Sequence, residues 1–125
     1  MINVVGPINS GAAVGVDGAA TITKYSTQKV SGLVYAIAVK YNGDKPATTD
    51  VIVSTKGDNF PAITLLTLTD KNTDGIFLVR VVGHSNLGVA DASAIQKNAI
   101  DDIIKILVTG ANTDDTVDVW LLMEN

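Results

Sequence analysis

The chain contains no cysteine. That absence excludes disulfides, thiolate metal sites and a cysteine nucleophile, and it leaves the redox compartment open. There is one histidine, His84, so a site built on two histidines is excluded as well. Arg80 is the sole arginine and Glu124 the sole glutamate, against twelve aspartates. Asp favours turns and Glu favours helix interiors, so the acidic residues are expected mainly in turns. Nine basic residues are spread thinly over a chain of net charge −4. They supply no basic stripe for nucleic acid. No apolar run approaches the roughly 18 residues of a membrane-spanning helix. The opening MINVVGPINS has no positive charge ahead of its apolar residues, as a secretory signal needs. Neither nucleic acid nor a membrane is therefore an expected partner.

What is abundant points one way. Sixteen Val, twelve Ile and thirteen Thr make up about a third of the 125 residues. β-branched side chains suit strands better than helices. With 46% hydrophobic and 18% charged residues the composition is that of a globular chain, long enough to bury a core. The expectation is an all-β protein, a jelly-roll-like β-sandwich of about eight antiparallel strands.

Residues 1–19 hold Pro7 and several Gly, Ala and Val, and read as an extended, flexible N-terminal arm. Residues 20–125 read as the sandwich domain. From Ala20 onward, strand-like runs alternate with turn signals about every 10 residues, the spacing of a sandwich or barrel. In GLVYAIAVKY, simple alternation puts Leu33, Tyr35, Ile37, Val39 and Tyr41 on one face. Asn42-Gly43 followed by Pro46 marks a turn. Residues 84–99 carry no strand signal and read as a long loop. Ser93-x-x-Gln96 resembles a capping box, and a helix over 94–107 competes with a strand from about Ile103 to Thr109. The β-branched IIKILVT favours the strand.

Several runs, among them VIV, IFLV, IIKIL and WLLM, are apolar at successive positions. A two-sheet sandwich should carry polar residues on its outer faces. Apolar residues on both faces imply that an outer face is covered, and in one small domain the natural cover is another subunit.

Candidate chemistry is sparse. Asp70-x-Asn72-x-Asp74-Gly75 has the opening spacing of a calcium loop, but Val81 stands where the bidentate Glu would be. The flanks read as strands, so the segment reads instead as a hairpin turn, with Gly75 supplying a positive φ. His84 has Ser85 beside it, but nothing completes a triad. Asp101-Asp102 and Asp114-Asp115 are paired acids that read as solvated turn residues. Arg80 is the charged residue most suited to an interface, through a carboxylate on a neighbouring strand or subunit. Trp120, with Tyr25, Tyr35, Tyr41, Phe60 and Phe77, could build a sugar-stacking platform. The apolar setting of Trp120 favours core packing. No catalytic, metal or cofactor-binding residue is assigned, and no enzymatic activity is expected.

VSGLVYAIAVKYNGDKPATTDVIVSTKG, PAITLLTLTDKNTDGIFLVR and DDIIKILVTGANTDDTVDVWLLMEN together resemble small β-sandwich structural proteins of tailed bacteriophages, the minor head, decoration or cement proteins. The likeness covers about residues 25–125 and lies in strand and turn residues. It implies a virion protein that self-associates, with a trimer favoured, and that binds the major capsid protein or another virion protein. The arm would clasp a neighbour. The alternative is a carbohydrate-binding module of a phage fibre or spike.

Overall fold

The computed structural model describes residues 1–84 and 87–124, with the side chains of 82–84 and 91–94 set aside. Eleven strands and no helix occur among the described residues. They are β1 (Ile2–Asn9), β2 (Ala20–Tyr25), β3 (Val30–Asn42), β4 (Asp50–Thr55), β5 (Thr64–Leu68), β6 (Gly75–Phe77), β7 (Val81–His84), β8 (Ala90–Gln96), β9 (Asn98–Asp102), β10 (Ile104–Ala111) and β11 (Thr116–Glu124).

One sheet runs β1-β11-β3, with β9 and β6 sharing the far side of β3. The other runs β2-β10-β4-β5. Every pairing is antiparallel. Leaving out β6 and the β7–β8 ribbon, eight strands remain. Numbered afresh along the chain, they lie in the orders 1-8-3-6 and 2-7-4-5. This is the topology of a long hairpin rolled over on itself, a jelly roll. The expected fold class therefore holds, with β6 and β7–β8 inserted before the sixth strand of the roll.

Alternation builds the core. In β10 as far as Val108, and throughout β11, every second residue is buried. Ile104, Ile106, Val108, Val117, Val119 and Leu121 meet Val51 and Val53 of β4 and Ile37 and Val39 of β3 between the sheets. The largest of these side chains contribute about 1.5–3 kcal/mol each on burial.

The structure corrects five expectations. Residues 1–19 are not a free arm: β1 lies along β11, and Ser10 and Ala13 are buried. The apolar Val5 and Ile8 packed on the core give this segment its place. Within β3, a bulge opposite Leu122–Met123 breaks strict alternation. Leu33 and Tyr35 face out while Ile37, Val39 and Tyr41 face in. Residues 90–96 and 98–102 are strands rather than loop or helix, paired with β7 and β3. The strand read after the 70–75 turn, beginning with the apolar run IFLV, is not continuous, because Leu78–Arg80 separate β6 from β7, which sit in different sheets. Finally, the segment 70–75 is no hairpin turn. It carries the chain from β5 in one sheet to β6 in the other.

Candidate functional site

The sites expected from sequence are dispersed. Asp70 uses its backbone N–H to bond the Asp50 carboxylate at 2.7 Å. The Asn72 amide donates to the Lys45 carbonyl, and Asp74 accepts the Tyr41 N–H at 2.8 Å. The Asn72 and Asp74 side chains and the Asp70 backbone thus serve as separate ties along the crossover. The left-handed residue here is Asp70 (φ 50°), not Gly75. Among the described residues no three His, Asp or Glu gather as a metal site would require. The side chain of His84, and Ser85 entirely, lie outside the described residues.

Asp101 and Asp102 separate because neighbouring residues of a strand face opposite ways. Asp102 is buried and accepts the N–H groups of Gly57 and Ile103. Asp101 is exposed, takes a hydrogen bond from Ser31 and lies 3.4 Å from Lys29. Those two contacts, the Ser31 bond first, hold its carboxyl below the usual range. Asp115 is likewise buried, and it accepts three backbone N–H groups, from Asp44, Lys45 and Asn112. Asp102 and Asp115 are therefore internal ties, not solvated turn residues.

The aromatic residues do not share one platform. Tyr41 and Phe77 point into the roll. Phe60 lies in the β4–β5 loop and Tyr25 at the end of β2. Trp120 is not in the core. It is half-buried on the outer face of the five-stranded sheet, with Gly6 of β1 passing close to it. A Cβ on Gly6 would stand 2.8 Å from the Val119 carbonyl and 3.2 Å from the Trp120 ring, so this approach needs glycine.

That outer face is the most distinctive surface of the molecule. Cross-strand register places Val4, Leu122 and Ala36 in one row. Trp120, Ala38 and Ile76 form the next. Val4 is 61% exposed and Ile76 69%. One end of the band is closed by Asp118, which accepts the side-chain amides of Asn9 and Asn42. The other end holds the Lys97–Glu124 ion pair and Arg80. Arg80 donates to the Tyr35 carbonyl at 2.7 Å and stacks 5.3 Å over the Tyr35 ring. Lys97, and more weakly Arg80, lower the Glu124 carboxyl below its ordinary value. The face thus has an apolar centre between polar ends.

The opposite outer face differs. Its rows read Thr23–Leu107–Ile52–Thr67 and Tyr25–Lys105–Ser54–Thr64. Only Leu107 and Ile52 interrupt a hydroxyl and charged surface, and both are half-buried. The runs that looked doubly apolar in sequence thus divide: those of the four-stranded sheet are nearly resolved by alternation, whereas those of the five-stranded sheet leave a real apolar face.

No family model matches the chain, and neither does any curated protein. Among solved structures, the chain is similar to the crystal structure of FLHE at 14% identity and a TM-score of 0.40, over 99% of this chain and 95% of that one.

Proposed function

We propose that this protein is a virion structural protein of the capsid decoration, cement or minor head kind, and that it assembles through the outer face of its five-stranded sheet. The observation that carries the assembly reading is the contrast between the two outer faces. Burying Val4, Ile76, Leu122 and Trp120 against a partner recovers apolar area worth about 25 cal/mol per Å² before association costs. The edges of the roll argue in the same direction. Pro7 interrupts β1, and Lys24 points inward from β2, two devices that discourage edge-to-edge strand addition. A face, rather than an edge, is left for association. The virion setting rests on the resemblance of residues 25–125 to tailed-phage structural proteins.

Trp120 is the only tryptophan and sits on the proposed contact, so it reports directly. Its emission is expected to shift to longer wavelength, and its quenching by acrylamide to rise, as a concentrated sample is diluted. Emission and quenching that do not change across the dilution series would contradict contact through this face. Detection of the chain in purified phage particles, in stoichiometric amounts, tests the virion setting separately.

A further inference from the structure

Where β1 and β2 form the free edges of the two sheets, the roll does not close. An open groove of about 610 Å³ runs between β1 and the segment Lys24–Ser31. Two of its side chains break the rule that built the rest of the core. Asn3 stands opposite Met123, a buried core residue. Lys24 shares its strand face with Ile22, which packs on the core. Alternation sends both Asn3 and Lys24 inward, yet both are polar and exposed, and neither side chain has a protein partner among the described residues. Departures of this kind from an otherwise consistent pattern concentrate at functional sites.

The rest of the lining adds to them. The turn after β2 contributes the Thr27 hydroxyl and the Gln28 amide. Val5, Pro7 and Met123 form an apolar wall. Although the chain has thirteen acidic residues, none lines the groove. Its free polar groups are thus amides, hydroxyls and an ammonium, set against C–H surface. Amides and hydroxyls match sugar hydroxyls, the wall matches the C–H face of a pyranose, and Lys24 in an acid-free lining matches a carboxylate. We propose that this groove binds an acidic oligosaccharide, one whose sugars carry carboxylates. An extended peptide added to β1 is the weaker fit, because the register breaks between Val5 and Ile8 and Pro7 offers no N–H.

The test is calorimetry of the full chain with trigalacturonate, with galactotriose as the neutral sugar and with a short polyglutamate as the acidic peptide. Trigalacturonate should bind at least about tenfold more tightly than either control. Lys24→Gln and, separately, Gln28→Ala should each weaken it severalfold. Gln28 lies in an exposed turn, so its replacement keeps the test intact if the Lys24 variant folds poorly. Absence of trigalacturonate binding would overturn the proposal. So would equal binding of polyglutamate, which would mean that charge alone is read, or unchanged affinity in both variants.

Discussion

The Asp115 carboxylate accepts the backbone N–H of Asp44 at 2.8 Å, joining the end of the β10–β11 turn to the crossover between the sheets. The same carboxylate takes N–H groups from Lys45 and Asn112. Gly43 packs directly on it, with φ at +103°. Replacing Asp115 by Ala would leave three donors without their acceptor, and the loss in stability is expected to be about 2–4 kcal/mol. Gly43→Ala would push a methyl group onto the carboxylate from a backbone conformation that L-residues avoid, and should cost about 1–3 kcal/mol. Because the two residues touch, the double variant should lose less than the sum. Urea denaturation of the three variants checks this.

Tyr41 is buried, and its hydroxyl has no hydrogen-bond partner among the described residues. Burial first, then the charges of Asp74 and Asp50, push the phenol up to about 12. A raised folded-state value means that the folded protein holds this proton more tightly than the unfolded chain. The contribution is complete below pH 10 and is lost as pH rises from 10 through 12. Absorbance titration should find one phenol ionising near 12. Tyr41→Phe removes the unsatisfied hydroxyl, and is expected to leave stability unchanged or raise it by up to about 1 kcal/mol.

The N-terminal segment should be indispensable to the fold. Ser10 is buried, and its hydroxyl accepts the Val117 N–H at 2.9 Å. Ser10→Ala should cost about 1–2 kcal/mol. Deleting residues 1–12 removes all of β1, bares the edge of β11 and exposes the core beneath Val5 and Ile8. That truncated chain should melt far below the intact one or aggregate. A truncation with an unchanged melting temperature would restore the reading of these residues as a free arm.

Metal removal should have no effect on the segment 70–75. Its side chains and backbone are tied to Asp50, Lys45 and Tyr41 instead of to a shared centre. The melting temperature with EDTA should equal that with calcium. A drop in EDTA that calcium reverses would show that Asp70, Asn72 and Asp74 converge on an ion.

Strand content is legible in the sequence because β-branched residues alternate through β10 and β11, but the make-up of the roll is not: two of its eight strands, β1 and β9, lie where the sequence reads as an arm and as loop or helix. Sheet membership was not legible. The turns at 42–49 and 69–74 look like hairpin turns, yet both cross between sheets, and local residues encode a reversal without naming the strand that receives it. β8 and β9 escaped notice because ADASAIQ and NAIDD are rich in Ala, Asp and Asn, which have poor strand propensity, so pairing to β7 and β3 overrides it. Trp120 was misplaced for a related reason. WLLM is apolar throughout and by itself favours a core reading, yet alternation along TVDVWLLME puts Trp120 on the face of Asp118 and Glu124, and the register with Ala38 and Ile76 agrees. The groove has no motif in the sequence, since Asn3 and Lys24 lie 21 positions apart and come to line one groove only when both sheets are in place.

The central claim is that the outer face of the five-stranded sheet is the assembly surface. Multi-angle light scattering of the wild type, Ile76→Asp and Thr23→Asp tests it most directly. Ile76 is 69% exposed on the apolar face, and Thr23 is exposed on the polar one, so neither substitution should change stability by more than about 0.5 kcal/mol. The wild type and Thr23→Asp should have the mass of a multimer, and Ile76→Asp that of a monomer. A monomeric wild type, or a multimer that Ile76→Asp leaves intact, would contradict the account.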